Sequence, residues 1–428
     1  MLYNLILCQK IIQKLKQVLQ SEEFLSKFRV ENAFTRKRKL TMYQVVLFLF
    51  YTSKRNMQAN LSKICVQLTK LQFPEVSKQA ISKARKGILP ELFQQLLSIS
   101  IAIFYQEKKQ RYSWHGYYPF AIDGSKVQVP RKSGTYFGYA YNNKARYPTA
   151  MAAASILYDI GQDIIVDARI DPFLYGERSS ALEHLKYLEE KKLEKQAIIL
   201  WDRGYHSLDL IQHIEKQGYY FLERVQKNIL AFENVKSDDE IVYYFPEHQK
   251  KTGKKEGILV RVIHVTLEDG TIECLVTNVL SPEITKEEFQ ELYFQRWKIE
   301  GKYEELKSRW EIEEFSGASE IAVKQEFWIH ILLSNITSMI KADADKAIQE
   351  SRNLNNKYQY QANRSNIIGY IKDSFAIMLC GEKKIKNQLD WIYEESKKGR
   401  SQIQPNRKCK RPRVQLKRKH FNNRKRCI

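Results

Sequence analysis

This 428-residue sequence lacks most of the marks by which a protein class is recognised. It has no apolar run of the roughly 18 to 20 residues that a membrane-spanning helix needs, so no span is predicted. The opening MLYNLILCQK has no basic residues ahead of its apolar ones, so a secretory leader is not expected there. Its six cysteines (Cys8, Cys65, Cys274, Cys380, Cys409, Cys427) are scattered and include no CxxC pair. That argues against a disulfide framework or a structural zinc site, and for reduced thiols in the cytoplasm. GxxxxGK, HExxH, GxSxG and a GxGxxG following a strand are all absent, which removes the nucleotide-loop, zinc-protease, serine-hydrolase and dinucleotide readings. No internal repeat is present.

Acidic residues are also in short supply: 49 against 71 Lys plus Arg, a formal charge of +22. Fourteen of those positive charges, with no acid among them, lie in Lys397–Ile428, so the rest of the chain carries only about +8. A tail such as RKCKRPRVQLKRKHFNNRKRC is expected to be disordered alone and drawn to polyanions. Nucleic acid is the expected partner, because a membrane role would need an amphipathic apolar face that the tail does not have.

The hydrophobic content is ample for real cores, at 43%. Residues 1–105 read as helical, from apolar spacings of three and four in IIQKLKQVLQ and YQVVLFLFYT. Within them SKQAISKAR opens on Ser77, a good N-cap, and presents Lys78, Lys83 and Arg85. That segment is expected to read DNA in the manner of a helix-turn-helix.

From about Tyr117 the period changes. YYPFAIDGSKVQV, TAMAAASILYD, DIIVDARID, AIILWDRGY and GYYFLERV read as strands, with helices at SSALEHLKYLEEKKL and LDLIQHIEKQ. Strands in meander, followed by alternation with helices, predict an α/β fold with a mixed sheet flanked by helices. EIVYYF, GILVRVIHVTL and IECLVTNVL, with a hairpin signal at EDGT, form a β-rich block at 226–285. A long apolar helix, QEFWIHILLSNITSMI, follows.

The chemistry rests on carboxylates. Asp123 follows the apolar run YYPFAI and is expected at a turn closing the first strand; Asp202 follows AIILW. Strand-end aspartates can present hard oxygens to Mg²⁺, although Asp is also a common turn former. The third carboxylate, Glu300, lies in LYFQRWKIEGKYEELKSRW. Read as one helix, that stretch puts Tyr293, Arg296, Glu300 and Lys307 within roughly 60° of each other. Leu292, Ile299, Tyr303, Leu306 and Trp310 form a core stripe, and Gln295, Lys298, Lys302, Glu305 and Arg309 a solvated one. Glu304, one turn after Glu300, and Gly301 are both unfavourable in a helix, which suggests close approach of something to that face. Asp159, Asp163, Asp167 and Asp171 recur every four residues, but the first two flank the turn at Gly161 and are expected to be solvated. His206 reads as structural, and Glu177 as a residue serving a helix dipole.

Residues 293–307 spell Y-x2-R-x3-E-x6-K, which resembles the signature helix of the DDE transposases in the insertion-sequence-four family. Asp123 in AIDGS and Asp202 in WDRGY look like that family's two aspartate motifs, and the order of elements agrees. The resemblance implies an RNase H-like catalytic domain at 115–225 and 286–345, interrupted by the insertion at 226–285. Around it would lie a DNA-binding helical domain at 1–105, a helical region at 346–396 and the basic tail at 397–428. It further implies that Asp123, Asp202 and Glu300 hold two Mg²⁺ or Mn²⁺ ions for phosphodiester hydrolysis at the ends of a bacterial element, followed by 3′-hydroxyl strand transfer. Tyr293, Arg296 and Lys307 would bind DNA; the residues themselves leave Trp297, beside Arg296, two readings, stacking on a displaced base or packing in the core. Partners would be terminal inverted repeats, target DNA and a second copy of the chain in a synaptic homodimer. A nuclease without strand transfer, an inactive DNA-binding remnant and an RNA binder are the alternatives.

Overall fold

The structure is a computed structural model, and it describes residues 2–36, 39–51, 57–108, 110–141, 147–226, 235, 237–244, 257–267, 270–352 and 357–404. The chain divides into two compact units. One comprises Met1–Glu107, Lys126–Ala152 and Glu305–Ile428; the other comprises Lys108–Ser125 and Ala153–Glu304.

A nine-stranded mixed sheet flanked by helices is the frame, as the sequence predicts. Its strands are β1 (Tyr118–Gln128), β2 (Tyr139–Ala140), β3 (Thr149–Asp159), β4 (Ile164–Pro172), β5 (Ala197–Trp201), β6 (Tyr220–Val225), β7 (Asp239–Tyr244), β8 (Ile258–Thr266) and β9 (Ile272–Thr277). They are ordered β2-β3-β1-β5-β6-β9-β8-β7, with β4 on β3. β1, β5 and β6 are parallel neighbours. Parallel strands need a crossover, and the helices Glu177–Lys191 and Leu208–Lys216 precede β5 and β6 respectively. β5 is the most deeply buried, all five residues inaccessible, as its uninterrupted apolar run requires.

The block expected as a separate β-rich insertion is instead the continuation of this sheet. β9 pairs antiparallel with β6 along Leu222–Val225, β8 with β9, and β7 with β8. The hairpin expected at EDGT is closed by Leu267 and Thr271, with Gly270 at φ +80°, a backbone only glycine adopts freely; Glu268 and Asp269 lie outside the described residues.

The other unit is mainly helical. Its axis is the helix Glu320–Glu350, apolar on most sides and buried at Phe327, Ile331, Leu333, Ile336 and Ile340. Helices Tyr3–Leu19, Glu91–Glu107, Arg364–Cys380 and Ile385–Lys398 pack against it. The boundaries drawn at 105, 345 and 346 therefore do not separate compact bodies, because the N-terminal and C-terminal helices share one apolar core. Residues Arg400–Ile403 form a strand, β11, paired antiparallel with β10 (Gln359–Ala362), so the start of the expected tail is folded. Residues 405–428, on which the rest of the tail falls, lie outside the described residues. Among the described residues no helix is long and apolar enough to cross a membrane.

Candidate active site

The register of the sheet brings the two aspartates together. β1 pairs with β5 from Tyr118↔Ala197 to Ala121↔Leu200, and continuing by two residues sets Asp123 level with Asp202. Asp123 does not close its strand at a turn, contrary to expectation. β1 runs on to Gln128, while β5 stops at Trp201, so Asp123 lies where its parallel neighbour has just ended. Each carboxylate is oriented by a nearby glycine amide: Gly124 N donates to Asp123 Oδ1 and Gly204 N to Asp202 Oδ1, both at 2.9 Å.

The stretch read as one helix is two. Lys286–Gln295 opens on a capping box, with Thr285 and Glu288 exchanging bonds, and ends before Arg296. Lys298–Ser308 follows. Between them the backbone tightens: Arg296 N, Trp297 N, Ile299 N and Glu300 N each bond the carbonyl three residues back. A single 100° rotation therefore does not describe the face predicted from helical spacing. Tyr293 and Arg296 are both 3% exposed, so they are turned inward instead of lying open to DNA. The Tyr293 hydroxyl donates to the carbonyl of Trp201 at 3.3 Å, immediately before Asp202. Tyr303, expected only as core, donates from its buried hydroxyl to the carbonyl of Asp123 at 2.9 Å. Two tyrosines thus fix the backbone at the two aspartates.

Arg296 is a buried cation beside two of these acids. Its Nη2 lies 3.1 Å from Glu300 Oε1 and its Nη1 4.0 Å from Asp123 Oδ2, while its Nε is buried with no hydrogen-bond partner. The pull of Arg296 does not offset the burial of Asp123, whose carboxyl is pushed up to about 7. Burial is the main cause, and the charges on Asp202 and Glu300 add to it. Glu300 is partly exposed. Gly301 is not crowded by the described residues: outside its own stretch of helix backbone, none of their atoms lies within 4 Å of a Cβ built there. The core stripe is as predicted, but two members of the solvated stripe are not: Lys302 is buried against Asp163 at 2.7 Å, and Glu305 against Arg364 at 2.6 Å.

Behind the site, Ser155 Oγ lies 3.4 Å from the Asp123 carbonyl and 3.0 Å from His184 Nε2, while His184 Nδ1 lies 2.7 Å from Asp167 Oδ2. Ser, His and Asp in a row suggest a nucleophile, but all three are buried, so the row braces β1, β3 and β4 instead. Asp159 is buried too, not solvated, and accepts from Gln162 N at 3.0 Å. His206 is structural, as expected, at 2.9 Å from Glu223 and 3.0 Å from the Tyr244 hydroxyl.

Of the other DNA-binding candidates, Trp297 is 42% exposed, with the Arg296 guanidinium 5.3 Å from its ring. Lys307 belongs to the helical unit, where its ammonium donates to the Lys126 carbonyl at 2.9 Å. Lys78 and Lys83 are exposed on the helix Lys78–Ala84, which Ser77 caps as predicted. Arg85 is a correction. It is 2% exposed and paired at 3.0 Å with Glu326, itself fully buried, because the helix ends at Ala84 and the next turn points inward.

The acids Asp123, Asp202 and Glu300 are hard oxygen donors of the kind Mg²⁺ and Mn²⁺ take. In donor chemistry they fit, and the charge on Arg296 lies where a positive charge is wanted. Among the described residues no three His, Cys, Asp or Glu side chains are yet close enough to hold one ion. Carboxylates that repel one another stay apart until a cation draws them in.

Among curated proteins none matches the sequence. Among solved structures, a cryo-EM structure of the piggyBac transposase synaptic complex with hairpin DNA is similar with a TM-score of 0.47 and 10% identity, over 91% of this chain and 85% of that one. A Mos1 transposase paired-end complex with left transposon end gives a TM-score of 0.18 and 14% identity, over 40% and 59%. At those values neither likeness decides fold or function. The family model described as "Transposase DDE domain" matches residues 114–336, which is 223 of 428 residues and includes every member of the site. By that match the chain belongs to the transposase DDE domain family.

Proposed function

We propose that this protein moves a DNA element in the manner of the insertion-sequence-four transposases, hydrolysing a phosphodiester at each element end and then joining the freed 3′-hydroxyl to target DNA. Asp123 and Asp202, level with one another where β5 ends beside β1, with Asp123 linked through Arg296 to Glu300, carry the reading. Asp123, Asp202 and Glu300 would hold two Mg²⁺ ions, which when bound activate the attacking oxygen and stabilise the leaving one. Tyr293 and Tyr303 keep the aspartate loops in register, and Arg296 holds Glu300 toward Asp123. Trp297, beside the site and exposed, is placed to stack on a base; Lys307, Lys78 and Lys83 neutralise phosphates. DNA ends and target DNA are the partners, two copies of the chain are needed to bring two ends together, and the work is done in the cytoplasm on the nucleoid.

The test is Glu300→Gln with a labelled duplex carrying an element end. Mg²⁺-dependent cleavage is expected to fall at least ~100-fold while end binding stays nearly intact. Unchanged cutting would sink the assignment. Cutting by the wild type without any joined product would leave a nuclease that does not transfer strands.

A further inference from the structure

A further acid lies near the two aspartates. Glu177 is the first residue of the helix Glu177–Lys191, and among the described residues its carboxylate has neither a hydrogen bond nor an ion pair. It does not cap its own helix, so service to the dipole leaves its direction unexplained. That direction is specific. A Cβ built on Gly124 would lie 3.3 Å from Glu177 Oε1, and one built on Gly204 would lie 3.6 Å from Glu177 Oε2. The two oxygens thus reach the two glycines whose amides orient Asp123 and Asp202. A side chain at either glycine would fill the space that the carboxylate faces.

A second group points into the same space. The Tyr205 hydroxyl lies 3.3 Å from that point on Gly124, the residue is 1% exposed, and among the described residues the hydroxyl has no hydrogen-bond partner. A buried hydroxyl without a partner is costly unless something else occupies the space it faces. The charges of Asp123, Glu177 and Asp202 all bear on it, which places it among the three acids. Three carboxylates, Asp123, Asp202 and Glu177, and a buried hydroxyl around two side-chain-free glycines call for a cation and its water.

We propose that Glu177 is a fourth carboxylate of the divalent-cation site, spanning Gly124 and Gly204 beside Asp123 and Asp202, with the Tyr205 hydroxyl donating to the water or carboxylate oxygen held there. This rests on the cation-dependent reading of Asp123, Asp202 and Glu300. Sequence reading passed Glu177 by because a Glu at a helix start has an ordinary explanation, and its two glycine neighbours are 53 and 27 positions away.

The test is Mn²⁺ binding to the DNA-free protein, read by the loss of the free-ion paramagnetic resonance signal, with the rise in Tm on adding Mn²⁺ as a second readout. Glu177→Gln is expected to weaken binding about tenfold or more and to shrink the Tm rise, without lowering the Tm of the metal-free protein. Glu190→Gln makes the same charge change on the exposed face of the same helix and should bind as wild type. Tyr205→Phe should weaken binding by a smaller factor. If Glu177→Gln binds as wild type while Glu300→Gln does not, the proposal fails and the three-acid site stands. If the wild type and Glu300→Gln bind Mn²⁺ alike and weakly, the cation-dependent reading itself is overturned.

Discussion

Two arginines, one in each unit, are equally buried and differ in how well they are satisfied. Arg85 is enclosed by the Glu326 carboxylate at 3.0 Å, Ser316 Oγ at 3.0 Å, Gln325 Oε1 at 3.0 Å and the Ala322 carbonyl at 3.4 Å. Arg296 has one close carboxylate, Glu300, a distant one, Asp123, and a buried Nε with nothing to bond. Its acids are likewise unsettled, with Asp123 held up to about 7 by burial. A stabilising pair saturates its donors, since a half-satisfied buried charge is costly. A site that must take in a cation or a phosphate has to leave capacity unused. From sequence both arginines looked like DNA contacts; saturation is what tells them apart.

The largest effect should come from breaking the saturated pair. Arg85→Met leaves Glu326 ionised and enclosed, and is expected to lower unfolding free energy by about 3–5 kcal/mol, measured in urea. Arg296→Met should cost clearly less in the same titration while abolishing cleavage. Equal losses would erase the distinction.

A middle-sized effect concerns pH. The Asp123 carboxyl is raised from 3.8 to about 7 in the folded protein, so between those values the folded state keeps a proton that the unfolded state has lost. Stability therefore falls as pH rises through that window. Asp123→Asn should flatten the slope and make the metal-free protein more stable than wild type at pH 8, as site residues often do when replaced. A slope unchanged by this substitution would show that another group causes it.

The smallest effect on stability belongs to the exposed lysines. Replacing Lys78 and Lys83 together by Ala should move unfolding by no more than ~0.5 kcal/mol, while reducing the salt slope of DNA binding by about two. An unaltered slope would remove that helix from the DNA interface.

What could be read in advance follows the range of the physics. The strands were legible because AIILW and its neighbours carry their burial in uninterrupted apolar runs, and the Ser77 cap because capping is decided within four residues. The continuation of Asp123 within its strand was not, since there β1 has β3 as its neighbour, some thirty residues later. Lys302 and Glu305 were assigned to water because charge is the local signal; their burial depends on Asp163 and Arg364, which no helical period reveals. The break at Arg296–Trp297 had no Pro to announce it. The order of the two aspartates and Glu300 was visible, but the inward turn of Tyr293 and Arg296 required the fold.

Gly301 lets the chain report on its visitor. Among the described residues nothing crowds that position, so alanine there would be accepted and would gain up to ~1 kcal/mol of helix propensity. Side chains of rising size at 301 would then act as a feeler gauge. Folding should hold steady from Ala through Val to Leu, and the first size at which end binding drops measures the gap between this helix and the DNA laid along it.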